Sequence, residues 1–80
     1  MPRIVVTREK LQAWLTTEIR KFDGCEKCSF GDVMPLRYPD EFGCNWSDSI
    51  IFRATEVPPA IYSPAVAKIM GEARSKFNIA

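Results

Sequence analysis

The sequence contains no histidine. That absence removes the side chain that most often moves protons near neutral pH. Ser-His-Asp and Cys-His catalysis are thereby excluded within the chain. A general base would have to be a carboxylate, a lysine or a tyrosine with a far-shifted pKa, and 80 residues offer little interior to support one. Only four glycines occur, and none falls in a G-x-x-x-x-G-K-[ST] or G-x-G-x-x-G run, so no phosphate cradle is readable. Long apolar runs are lacking too. The opening MPRIVVTREK has three consecutive apolar residues before charges resume, too few for a signal peptide or a membrane span. The expectation is a cytosolic protein with no enzyme activity of its own and no membrane partner.

Charge of one sign is also lacking. The 11 basic and 10 acidic residues leave a net charge of +1, which gives no general argument for nucleic acid or an anionic membrane. The distribution is uneven. Residues 28–63 carry two Lys/Arg against five Asp/Glu, whereas both ends are mildly basic. Basic residues near helix C-termini, where the macrodipole favours them, account for this pattern. The 46% hydrophobic and 26% charged fractions fit one small folded domain spanning residues 1–80. A chain this short buries only about 60% of its unfolded surface, so a metal, a disulfide or a partner would help it.

The apolar spacing predicts two helices. Over 8–22, Leu11, Trp14, Leu15, Ile19 and Phe22 form one stripe, with Thr7 as N-cap and Gly24 as a left-handed stop. Over 64–77, Val66, Ile69, Met70, Ala73 and Phe77 form a second stripe, with Ser63 as N-cap and Pro64 in the first helical position. Gly71 interrupts that helix, either as a close-approach point or as a tolerated cost. Between the helices the pattern turns extended. FGDVMPLRY (30–38) reads as an edge strand because Pro35 has no N–H to donate. SIIFRA (49–54) reads as a second strand, and the leading RIVV as a short third. The expected fold is α+β, ordered (β)-α-β-β-α, with both helices packed on one face of a small antiparallel sheet. Its centre is expected at Leu15, Ile19, Phe22, Ile51 or Ile50, Ile69, Met70 and Phe77.

The chain has three cysteines. The run Cys25-x2-Cys28-x15-Cys44-x2-Ser47 resembles a zinc ribbon whose last ligand has been replaced. Thiolates three residues apart in a turn can share a tetrahedral ion, and a hairpin could return Cys44 to them. A fourth donor would come from Ser47, Asp48, Asp40, Glu41 or water. Zinc on Cys25, Cys28 and Cys44 is therefore one reading. A thiol redox pair, Cys25 with Cys28, is another. Reactive C-x-x-C pairs sit at helix N-termini, however, and this one follows a helix end, where the dipole disfavours a thiolate. The plain reading is three small buried side chains, reduced in the cytosol.

The remaining candidates are partner-binding groups. Trp46, in the polar turn CNWSD, either caps the core or anchors a partner. Arg37 and Arg53 are the sole basic residues of the middle segment, and paired strands would bring them near each other. Glu18 falls inside the first apolar stripe and needs a partner, either Lys21 or the Trp46 indole. The function expected is an accessory or regulatory module that binds another protein. The alternative is nucleic-acid binding through the basic ends, with Trp46 or Tyr38 stacking on bases.

Overall fold

The computed structural model describes residues 3–41, 43–47 and 50–80. Its elements run β1 (Ile4–Val6), α1 (Arg8–Ile19), β2 (Cys28–Phe30), β3 (Phe52–Ala54), α2 (Pro59–Lys76) and β4 (Phe77–Ile79). The fold is mixed α+β, with two helices packed against short strands. Helix α1 starts where its cap requires. The Thr7 hydroxyl accepts from the Lys10 N–H at 3.2 Å, and Leu11, Leu15 and Ile19 go to the interior. Gly24 takes φ +85°, the left-handed conformation that a side chain would resist.

The strands differ from the sequence expectation. They form two separate two-stranded ribbons, not one antiparallel sheet. In the first, β1 lies parallel to β4, with Ile4 opposite Phe77 and Val6 opposite Ile79. The last residues of the chain thus leave the helix and turn extended at Phe77 (φ −110°, ψ 144°). The second helix also begins earlier than expected, at Pro59 and not at Pro64. Pro58 and Pro59 stand at the cap and the first helical position, where a missing N–H costs nothing. Pro64 lies inside the helix, where its ring costs one backbone hydrogen bond.

The second ribbon pairs β2 antiparallel with β3, matching Cys28 with Ala54, Ser29 with Arg53 and Phe30 with Phe52. Its outer edge along β2 is covered by side chains of α1. The Gln12 amide donates to Phe30 O at 3.2 Å, the Phe30 N–H donates to Thr16 Oγ1 at 3.2 Å, and Arg20 Nε donates to Cys28 O at 3.0 Å. These residues, two in α1 and its C-cap Arg20, are successively one helical turn apart, so a single polar stripe stands where a third strand would. Gly31 extends the ribbon, donating to Ile51 O at 2.6 Å. A Cβ on Gly31 would stand 3.1 Å from Ile51 Cβ and 3.3 Å from Ile51 O, so the two strands approach closely there. The long strand expected over 30–38 is reduced to β2 and one isolated bridge, Pro35 to Trp46.

The interior holds Leu11, Leu15 and Ile19 from α1, and Ala65, Ile69, Met70 and Ala73 from α2. Phe30, Val33, Trp46, Phe77 and Ile79 complete it together with the three cysteines. Phe22 and Ile50 are only half-buried, and Ile51 is 67% exposed, so neither isoleucine forms the centre. The ladder explains Ile51. It shares a ribbon face with Arg53, two residues on, and Phe52 takes the inward side, stacked between Phe30 and Tyr62 at about 5 Å from each.

Candidate functional site

The outward face of the second ribbon carries Ser29, Ile51 and Arg53. Ser29 and Arg53 are directly opposed, and Ile51 follows by the two-residue period. Beside them, Gln12 and Thr16 of α1 and Asp32 close a cleft of about 480 Å³. The chemistry there is mostly hydrogen bonding. Thr16 Oγ1 accepts from Phe30 and keeps its own proton to donate. Gln12 uses its amide N–H on Phe30 O and keeps its carbonyl oxygen. Arg53 is exposed, and among the described residues no ion pair or hydrogen bond engages its guanidinium. An unspent cation next to a large exposed aliphatic side chain is the combination that surface packing alone does not require.

Arg37 does not join this face. It lies beyond the Pro35–Trp46 bridge, on a different ladder from Arg53, with its guanidinium 5.9 Å from the Tyr38 ring centroid. The pairing of strands therefore does not bring the two arginines to one cleft. Tyr38 itself is 74% exposed.

Trp46 is fully buried, which supports its reading as part of the core and overturns the alternative of an exposed anchor for a partner. The indole N–H donates to Phe77 O at 3.0 Å. Arg74 lies over the ring at 5.4 Å and also donates to the Trp46 carbonyl. Asn45, next to it, binds Ile79 from both ends, Nδ2 to the carbonyl and Oδ1 from the N–H, each at 2.8 Å. The 43–46 segment thereby clasps β4 on the side away from β1. Glu18 takes the ordinary partner, Lys21 Nζ at 2.6 Å, and not the indole.

A second cleft, of about 830 Å³, opens between Arg3, Asp40, Gly71 and Arg74. Arg3, Asp40 and Arg74 are already engaged there. Arg74 pairs with Asp40 at 2.6 Å, and Arg3 donates to Asn78 Oδ1 at 2.7 Å and to the carbonyls of Arg74 and Phe77. Those carbonyls lie at the C-terminal end of α2, so Arg3 caps that helix. Among the described residues no neighbour lies within 4 Å of the place a Gly71 Cβ would take, so they make no close approach at this glycine.

All three cysteines are free and fully buried. Cys25 and Cys28 share a turn, closed by Cys28 N–H to Cys25 O at 3.0 Å. Burial pushes the Cys28 thiol above its ordinary pKa, and the hydrogen bond and charge of Cys25 push it further. A reactive redox thiol needs the opposite shift. Cys44 is held elsewhere, its thiol 3.5 Å from Trp46 O and its N–H on Asp40 Oδ1. Among the described residues no three Cys, Asp or Glu side chains gather closely enough to hold a metal ion. Asp48, one of the fourth donors considered, lies outside the described residues, as does Ser49 at the start of the expected second strand.

Sequence reasoning singled out Arg53 but missed Gln12, Thr16 and Ser29. A signal was present in the polar spacing of Gln12, Thr16 and Arg20 on α1. No protein-family model, curated protein or solved structure matches this chain. Among the described residues no helix is long and apolar enough to cross a membrane.

Proposed function

We propose that this chain is a non-catalytic accessory module that binds another protein through the face formed by Ser29, Ile51 and Arg53. One observation carries the reading: the unengaged Arg53 guanidinium stands beside Ile51, which is 67% exposed. Arginine is enriched at protein interfaces, and an exposed apolar side chain beside it gains by being covered. The lack of histidine supports a role without catalysis. Three free thiols support a reducing, cytosolic setting. Affinity capture from the native host with wild type, Arg53→Glu and Arg37→Glu tests the reading. The expected result is a protein partner retained by wild type and by Arg37→Glu but lost with Arg53→Glu, with weak dependence on salt.

Nucleic-acid binding is the second reading, and it rests on Tyr38. That ring is 74% exposed with Arg37 at 5.9 Å, a pairing suited to stacking on an unpaired base. Binding of single-stranded oligonucleotide that falls steeply with ionic strength, and is lost in Tyr38→Ala, would favour it over the first.

A further inference from the structure

The hydrogen-bond pattern of the second ribbon fixes which edge is open. Phe30 directs its N–H and C=O to Thr16 and Gln12 of α1, away from β3. Phe30 and Phe52 are therefore a non-hydrogen-bonded pair, and Phe52 must point its own N–H and C=O away from β2. The same holds one step along. Cys28 gives its carbonyl to Arg20 and its N–H to Cys25 O, so Ala54 opposite it also points outward. Ser29 with Arg53, and Gly31 with Ile51, are the pairs that bond across the ribbon. Four backbone groups, the N–H and C=O of Phe52 and Ala54, thus line the outer edge of β3. Among the described residues no hydrogen bond reaches them. The β2 edge is covered by three side chains of α1; the β3 edge has no such cover among the described residues, and β3 itself contains no proline.

Resting on the protein-binding reading above, we infer that the β3 edge receives an extended segment of the partner protein by strand addition, with an Asp or Glu of that segment opposite Arg53. An added strand bonding to Phe52 and Ala54 places its intervening residue directly across from Arg53, on the face of the cleft. Asp32 lines the same cleft, but among the described residues no carboxylate pairs with the guanidinium, so a carboxylate on the added strand is the matching group. Two residues along the added strand, the side chain on the same face meets Ile51, so a β-branched or aromatic residue fits there. A second copy of this chain is the poorer occupant. The antiparallel register that uses Phe52 and Ala54 of both copies sets Arg53 directly against Arg53, and like charges so placed repel.

Two measurements test this on the whole chain. In the free protein, residue-resolved amide exchange should show Phe52 and Ala54 exchanging at least about tenfold faster than Arg53. Equal protection of all three would mean the edge is already covered, and would overturn the inference. A phage-displayed library of random eight-residue peptides is then selected against the protein. The expected binders alternate β-branched residues around one Asp or Glu and protect the Phe52 and Ala54 amides. They should weaken about tenfold against Arg53→Glu, and by a similar factor when a paired peptide nitrogen is methylated. Binders that protect residues elsewhere would overturn strand addition but leave protein binding standing. A library with no binder overturns the inference, and salt-sensitive uptake of oligonucleotide by the same protein would remove the protein-binding reading as well.

Discussion

Arg74 lies over the Trp46 indole at 5.4 Å and closes an ion pair with Asp40 at 2.6 Å. Both charged side chains are about three-quarters buried. The guanidinium also donates to the Trp46 carbonyl, so one side chain ties α2 to the segment that clasps β4. Arg74→Ala should cost roughly 2–3 kcal/mol, because it leaves Asp40 partly desolvated without its cation. Asp40→Asn should cost less, since an amide oxygen can still accept from the Cys44 N–H. A double-mutant cycle by urea denaturation measures the coupling, and strictly additive losses would show that the pair acts as two independent side chains.

Gly71 lies exposed within α2, and none of the described residues comes within 4 Å of where a Cβ would stand. Gly71→Ala should therefore stabilise the protein by about 1 kcal/mol, the ordinary helix-interior difference. For a domain of this size that raises Tm by about 4–8 °C. A lowered Tm would mean that something does approach this turn of the helix.

Thr16 is the acceptor for the Phe30 N–H. Thr16→Val keeps the shape but removes that acceptor, stranding an inward-facing N–H at a cost of about 1–3 kcal/mol. Faster exchange of the Phe30 amide, with Arg53 unchanged, is the expected signature. An unchanged Phe30 amide would show that the α1 stripe does not hold the β2 edge.

Local signals were legible and distant pairings were not. Thr7, the α1 stripe and the turn at Gly24 act within a few residues, where propensity and capping decide. The start of α2 reads from the sequence as Pro64, five residues late, because Pro64 suits a first helical position as well as Pro59 does. Flanking sequence does not separate them; the longer helix wins although Pro64 then sits inside it. Strand β4 was hidden for a different reason. Phe77 continues the apolar spacing of α2, and its extended conformation is set by partners more than 30 residues away, β1, Asn45 and Trp46. Arg53 could be noticed as a rare cation in an acidic segment. The face around it could not, because Ile50 and Ile51 look interchangeable until the register with β2 is known.

The cysteines give the last prediction. Burial, with Cys25 beside it, holds the Cys28 thiol above its ordinary pKa. In the unfolded chain that thiol ionises near pH 8.5, so above this pH the unfolded state loses a proton the folded state keeps. Stability is then fully present below about pH 8.5 and falls as pH rises toward the folded pKa, at up to about 1.4 kcal/mol per pH unit. Comparing wild type with Cys28→Ala between about pH 8 and 9.5 checks this, because the variant lacks that thiol and keeps every other titrating group. The variant should be less stable overall but flatter in its pH dependence, and a chelator should leave both melting curves unmoved. A zinc site on Cys25, Cys28 and Cys44 predicts the reverse. Its thiolates would be protonated off the metal by acid, so stability would fall as pH drops and a chelator would lower Tm. The two accounts differ in the sign of the slope, and one titration with and without chelator separates them.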